Sequence, residues 1–251
     1  MEFTGKVVII TGAGQGIGRA YAHEFAKAGA AVVVADLNGE QAERVADEIV
    51  TAGGRALAVK VDVANKESTA AMAARALEAF GQIDVLINNA AIFSTLKMKP
   101  FEEIDGDEWD RVMAVNARGV FFCAQAVAPA MKSRKYGKIV NISSSVVVTG
   151  RANYAHYVAS KGAVVALTRA LATELGQFDI NVNAISPHGI VTEVPRDTIR
   201  PEQWDAIIAA QTLKRKGDVS DMIGATMFLT SDASKYITGQ TLNVDAGLRF
   251  N

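Results

Sequence analysis

The sequence predicts a single α/β domain, a doubly wound sheet of about seven parallel strands flanked by helices. Short runs rich in Val, Ile and Ala alternate with longer stretches of helical periodicity along the whole chain. The short runs are continuously apolar, the pattern of strands buried on both faces of a parallel sheet. A chain of 251 residues, 49% of them hydrophobic, is also the right size for one large α/β core.

The elements follow in order. Residues 6–11 read as the first strand, and the glycines after it open a helix over 16–28. Residues 31–36 form the next strand, ending on Asp36, with a helix over 40–51 behind it. Strands over 55–61 and 83–88 enclose a helix over 67–80. Residues 109–131 read as one long helix, 138–142 as a strand and 157–175 as a second long helix. Strands over 180–185 and 241–244 close the series. Alternation of this kind implies right-handed crossovers and one domain over 1–251. Residues 188–217 are irregular, with charged patches and two prolines, and are expected to form a lid over a substrate.

Composition excludes several functions. A formal charge of -1 without a basic block argues against a nucleic-acid partner. Cys123 is the one cysteine, so neither an intrachain disulfide nor a cysteine-based metal site is possible. In the run Gly119-Val120-Phe121-Phe122-Cys123-Ala124 it reads as a small buried apolar residue. The apolar run at 7–10 is too short for a signal-peptide core or a membrane span, so no membrane and a cytoplasmic location are expected.

The first strand runs into Thr11-Gly12-Ala13-Gly14-Gln15-Gly16-Ile17-Gly18. Glycines permit a tight turn and close approach of backbone to a pyrophosphate, and the helix start offers N–H groups and a positive dipole end. The spacing departs from G-x-G-x-x-G, since Ile17 and Arg19 stand where its last glycine would fall. A glycine turn alone marks only a turn; between a strand and a helix it reads as a Rossmann-type phosphate loop. Asp36 ends the second strand, where a carboxylate accepts hydrogen bonds from ribose hydroxyls. A 2′-phosphate about 4 Å from it would be repelled by roughly 4 kcal/mol at an effective dielectric of 20, before solvent screening. No Lys or Arg lies in the loop or at positions 37 and 38, so NAD is the expected cofactor.

Tyr157 and Lys161 are four apart on a helix and therefore share a face. A nearby ammonium favours the phenolate, which suits a general acid/base for alcohol chemistry. Such pairs are common on helices, and three other features give this one meaning. Ser143-Ser144-Ser145 and Asn88-Asn89-Ala90 each follow a strand, at the carboxyl edge of the sheet. Asn116 lies inside a long helix, where a buried carboxamide needs a partner.

Together these residues resemble the short-chain dehydrogenase/reductase family over essentially the whole chain. The likeness is carried by residues 11–18, Asp36, Asp62-Val63, Asn88-Asn89-Ala90, Asn116, Ser144, Tyr157 with Lys161, and residues 187–192. It implies a catalytic tetrad. Tyr157 would be the acid/base, Ser144 would hydrogen-bond the substrate oxygen, Lys161 would bind the nicotinamide ribose and lower the tyrosine pKa, and Asn116 would hold a relay water. It implies cofactor contacts from Gly12, Gln15, Gly16, Ile17, Gly18, Asp36, Asp62, Val63, Asn89, Ala90, Tyr157, Lys161, Pro187, Ile190 and Thr192. A homotetramer paired through the two long helices and the C-terminal segment is also implied. Two positions depart from the family pattern: Ala91 stands where glycine is usual, and His188 separates Pro187 from Gly189.

For the substrate, Phe93, Ser144, Val146, Val147, Val148, Tyr154 and Val194 are the pocket candidates, with His188 either a contact or an exposed loop residue. The set is mostly apolar, so an uncharged cyclic or aryl secondary alcohol or ketone is expected. Arg151 reads as an anion contact or a solvated surface residue, and His23 and His156 as structural, with no metal implied. The reading is thus an NAD-dependent oxidoreductase acting on a small molecule. A 3-ketoacyl-(acyl-carrier-protein) reductase would use the same tetrad but favour NADPH and need a basic docking patch. A non-catalytic dinucleotide sensor would be expected to have lost Ser144, Tyr157 or Lys161.

Overall fold

A computed structural model describes residues 2–195 and 203–250. The first half contains β1 (Val7–Thr11), α1 (Gly16–Lys27), β2 (Ala31–Asp36), α2 (Gly39–Thr51), β3 (Arg55–Lys60), α3 (Lys66–Phe80) and β4 (Val85–Asn88). Next come α4 (Gly106–Met113), a π-helical segment (Ala114–Arg118) and α5 (Gly119–Arg134). The rest comprises β5 (Gly137–Ile142), α6 (Val146–Thr149), α7 (Ala155–Leu175), β6 (Ile180–Pro187), β7 (Ile190–Val191), α8 (Gln203–Ala210), β8 (Gly217–Asp218), α9 (Ser220–Thr230) and β9 (Thr241–Val244).

The main sheet has seven strands in the order β3-β2-β1-β4-β5-β6-β9, and every pairing is parallel. The chain winds outward from β1 to β3 and then crosses back to β4. That reversal opens a crevice at the carboxyl ends of β1 and β4, where ligands bind in sheets of this kind. Both faces of the sheet are dry. Val8, Ile10, Val32, Val34 and Ile87 pack against Tyr21 and Phe25 of α1, Val45 of α2 and Met222 of α9. Their neighbours Val7, Ile9, Val33 and Leu86 pack on the opposite face against Met72 of α3, Cys123 and Val127 of α5 and Leu175 of α7. Alternate residues face opposite ways along a strand, so two covered faces require apolar residues at every position.

Polar side chains set the helix starts. Asn38, Asn65 and Asp105 accept hydrogen bonds from the N–H groups of Gln41, Ser68 and Glu108 at 3.2, 2.7 and 2.8 Å, capping α2, α3 and α4.

The structure departs from the sequence reading in three places. The helix expected over 109–131 begins at Gly106, set by the Asp105 cap, and its middle is the π-helical segment. The helices α6 and α9 and the small sheet β7-β8 have no counterpart in the sequence reading. The expected lid over 188–217 lies partly outside the described residues; what is described of it forms β7, α8 and the start of β8. The continuous helical stretch Gly106–Arg134 is long and apolar enough to cross a membrane, yet its Cys123, Ala124, Val127 and Met131 are core residues packed on the sheet.

Candidate active site

The crevice beside β1 is shaped mainly by backbone. Gly12 has φ +64°, and a Cβ there would sit 2.8 Å from the Ala90 Cα. A Cβ on Gly18 would sit 2.1 Å from the Gly12 carbonyl oxygen, so glycine is what lets α1 lie this close to the end of β1. Gly18 does not line the crevice; contrary to the sequence expectation of a cofactor contact, its position is one of helix-on-strand packing. Asn89 fixes the same turn. Its Nδ2 donates to the carbonyls of Thr11 and Gly12, both at 3.0 Å, while the Thr11 hydroxyl accepts from the N–H groups of Asn89 and Ala90, both at 3.1 Å.

No side chain of Gln15, the residue preceding α1, caps that helix. Its first N–H, on Gly16, instead donates to the Glu193 carboxylate at 2.9 Å. An acid from the far side of the crevice thus lies on the positive end of the helix, in keeping with a terminus suited to anions. Asp36 closes the other end. Its Oδ2 accepts from Gly14 N–H at 2.8 Å and its Oδ1 from Asn38 N–H at 2.9 Å, holding the carboxylate at the rim.

Between these groups lies a cavity of about 670 Å³. The glycine loop contributes Gly12, Gln15, Gly16 and Ile17, and β2 contributes Asp36. The segments after β3 and β4 contribute Asp62, Val63, Asn89 and Ala90. Ser144, Tyr157, Lys161, Pro187, Ile190, Thr192 and Val194 are also part of the wall. The structure therefore brings every expected cofactor residue except Gly18 to one crevice. Its dimensions and chemistry fit a dinucleotide: a glycine-walled turn, a helix end that attracts an anion, and a carboxylate at the ribose end.

The three serines after β5 are distinguished by their partners. Ser143 Oγ donates to the Lys161 carbonyl at 3.0 Å, and Ser145 Oγ is hydrogen-bonded to His188 Nδ1 at 2.8 Å. Ser144 Oγ accepts a long contact, 3.4 Å, from Val146 N–H, and it stands in the wall shared by the crevice and a second cavity. Tyr157 and Lys161 face the crevice from α7. Lys161 Nζ lies 5.8 Å from the Tyr157 ring centroid and donates to the Ile142 carbonyl at 2.8 Å. Burial pulls the lysine down to about 8, because the ammonium has lost its water.

Asn116 sits apart from the crevice, fully buried in the π-helical segment. Its Oδ1 accepts from Ile92 N–H at 2.7 Å, and its Nδ2 donates to the Ile92 carbonyl and Ser160 Oγ, both at 3.1 Å. Both amide hydrogens are thus engaged. The side chain joins the helix, the strand-end loop and α7.

The second cavity, about 560 Å³, opens beyond Ser144. Phe93, Ser144, Val146 and His188 line it as expected. Tyr154 does not: it is fully buried beneath the site, donates its hydroxyl to the Leu96 carbonyl at 3.2 Å, and packs edge-on against Phe93 and Tyr157. Val147 and Val148 also lie outside the wall, and Val194 faces the crevice instead. The wall includes residues the sequence reading missed: Ala206 and Ile207 from α8, and Leu248 and Arg249 from the C-terminal segment. No local pattern marks these; Leu248 and Arg249 follow β9, which the pairing with β6 brings to this edge, while Ala206 and Ile207 come from α8, between β7 and β8. Burial lowers the His188 pKa; Asp245 opposes that and the Arg151 charge adds to it. His156 is buried and joined through Nε2 to Glu108 at 3.1 Å, tying α7 to α4, while the half-exposed His23 pairs with Glu48 at 2.9 Å.

Comparisons with known proteins agree with this geometry. Residues 12–249 match a family model described as enoyl-(acyl carrier protein) reductase. An uncharacterised oxidoreductase of Mycobacterium tuberculosis is 44% identical over 98% of both chains. The 5-keto-D-gluconate 5-reductase of Escherichia coli is 38% identical over 98% of this chain and 96% of its own. Among solved structures, a 7α-hydroxysteroid dehydrogenase complexed with NADH and 7-oxo glycochenodeoxycholic acid superposes with a TM-score of 0.93. It is 36% identical and the match covers 100% of this chain and 97% of that one.

Proposed function

The chain belongs to the short-chain dehydrogenase/reductase family, and on that premise we propose that it is an NAD-dependent enzyme acting on the CH–OH group of a secondary alcohol, or on the matching ketone. That it is an oxidoreductase moving a hydride between a nicotinamide dinucleotide and an alcohol or carbonyl carbon follows from the family and its relatives. The observation that carries the finer reading is the junction at Ser144, with Tyr157 and Lys161 on the crevice side and the second cavity opposite.

The dinucleotide would lie in the crevice, its pyrophosphate at the Gly16 N–H, its adenosine ribose at Asp36, and its carboxamide near Ile190 and Thr192. When bound, it supplies the hydride acceptor or donor. The protein's own groups do the rest. The Tyr157 hydroxyl exchanges a proton with the substrate oxygen, and the Ser144 hydroxyl holds that oxygen in place. The Lys161 ammonium favours the phenolate and donates to the ribose. Asn116 acts as a positioning residue, locking Ile92 and Ser160 about the site. A dinucleotide sensor would not need this assembly of proton-transfer groups beside a second cavity.

NAD over NADP rests on Asp36, whose carboxylate is held at the crevice rim by Gly14 and Asn38. Relative kcat/KM with NAD+ and NADP+, at saturating alcohol and fixed salt, tests it. We expect at least a tenfold preference for NAD+, about 1.4 kcal/mol, and a smaller one in Asp36→Ala. A preference for NADP+ in the unmutated enzyme would overturn the assignment.

A further inference from the structure

We propose that His188 is a specificity-determining residue whose Nε2–H points into the cavity beyond Ser144 and donates a hydrogen bond to a second oxygen on the substrate; this rests on the reading of Ser144 as the point of reaction. The substrate class it selects is a secondary alcohol or ketone carrying a further ether, carbonyl or hydroxyl oxygen. Phe93, Ser144, Pro187 and Gly189 stand in the walls of both the crevice and the cavity. His188 lies between two of them in the chain and lines the cavity, so it belongs to the end nearest the reacting centre. The sequence reading left it as a contact or an exposed loop residue; in the structure it is half-buried in the wall.

Three hydrogen bonds hold this segment. The His188 N–H donates to the Val244 carbonyl at 3.2 Å, the Ser145 N–H donates to the Pro187 carbonyl at 3.0 Å, and Ser145 Oγ lies 2.8 Å from His188 Nδ1. The Ser145 hydroxyl is fully buried, and among the described residues Nδ1 is its one hydrogen-bond partner. Accepting from Nδ1–H would leave the hydroxyl hydrogen buried without an acceptor. Ser145 therefore donates, Nδ1 accepts, and the neutral imidazole carries its proton on Nε2. Burial favours that neutral ring, against the opposing charge of Asp245 and with a smaller push from Arg151. The two ring nitrogens point in nearly opposite directions, so Nε2 is turned away from the buried serine. Among the described residues it has no protein partner, and it is not one of the polar atoms sealed in the interior. Phe93, Val146, Ile207 and Leu248 make much of the surrounding wall apolar. A fixed donor in such a wall discriminates, because a ligand without a matching acceptor leaves it unpaired.

Calorimetric titration of the enzyme–NAD+ complex, in which ketones bind without being reduced, compares 2-, 3- and 4-methoxycyclohexanone with their ethyl analogues, where a methylene replaces the ether oxygen. At one ring position or more, the methoxy ketone should bind at least about fivefold tighter than its ethyl analogue. That ratio should fall to about one in His188→Phe, be partly kept in His188→Gln, shrink in Ser145→Ala and survive in Ser145→Thr. Nitrogen-15 histidine spectra, with the His188 signals identified by their loss in His188→Gln, should show Nε2 protonated in the wild type and mixed tautomers in Ser145→Ala. Methoxy ketones that bind no tighter than the ethyl analogues at any position, a preference unmoved by His188→Phe, or a ring protonated at Nδ1 would overturn the proposal. Turnover with NADH separates it from the reading beneath it. A methoxy preference in binding with no reduction would refute Ser144 as the point of reaction and leave the His188 donor standing; equal binding and reduction of both ketones would do the reverse.

Discussion

The crevice beside β1 and the cavity beyond Ser144 share a wall but are held by different means. The crevice is bounded by main chain in a close-packed turn: Gly12 against Ala90, Gly18 against the Gly12 carbonyl, and the Thr11 hydroxyl gripping two successive N–H groups. The cavity is bounded by side chains from α6, α8, the loop after β6 and the C-terminal segment. The first kind of wall accepts one ligand shape and tolerates little change. The second is open to substitution, and it is where specificity for one substrate over another can be altered without disturbing the fold.

That contrast makes graded predictions. The largest effect should come at the junction. Tyr157→Phe removes the proton-transfer group and should lower turnover by about 10²–10⁴-fold, with NADH affinity nearly unchanged in a fluorescence titration. Turnover above a tenth of the wild-type value would remove Tyr157 from its assigned role. Next comes the crevice wall itself. Gly18→Ala forces a methyl group against the Gly12 carbonyl, and overpacking of this kind costs about 1–3 kcal/mol. For a domain of this size that is about 2–4 °C of Tm per kcal/mol, with dinucleotide affinity falling as well. An Ala variant with wild-type melting and binding would show that α1 can move away freely. The comparable change in the cavity wall, at Arg249, should leave Tm alone.

The smallest effect concerns the acid lying on α1. Glu193 accepts from the Gly16 N–H that the pyrophosphate would need, so the two compete for one donor. Glu193→Gln keeps the size and removes the charge. It should tighten NADH by about three- to tenfold, the scale of one partly exposed charge-assisted hydrogen bond. Isothermal titration checks it, and an unchanged or weaker affinity would mean the lid residue has no hold on the helix end.

The same contrast explains what was legible in the sequence. The strands of the sheet could be read because both their faces are buried, and the phosphate loop because only glycine can occupy its turns. Ser144 is singled out by the family resemblance, and the structure supplies an independent physical reason: Ser143 and Ser145 have other partners. What escaped was set by distant contacts. Tyr154 looked like a pocket residue by position, yet its hydroxyl is committed to Leu96. Gly18 looked like a ligand contact, and its role is packing. Arg249 gave no local sign at all, because the pairing of β9 with β6 is what carries the end of the chain back to the site. The capped start of the long helix at Asp105 was available in the sequence, but the apolar pattern beginning at Trp109 masked it.

The wide turn at Ala114–Arg118 sets the phase of the helix that contains it. An α-helix behaves as a screw of 3.6 residues per revolution, so one residue more or less rotates everything beyond it by about 100°. On one side of the turn, α4 directs Val112 into the cluster around Tyr154 and Tyr157, and Glu108 toward His156. On the other side, α5 directs Cys123, Val127 and Met131 into the sheet. A regular helix of the same residues would present one of these faces correctly and turn the other aside. The irregular turn works as a clutch between two rows of contacts, letting a single continuous helix answer both to the core and to the floor of the reacting site. Removing one residue from it would give a regular α-helix with the two rows still in step, whereas adding a residue to α4 or α5 would put them out of step.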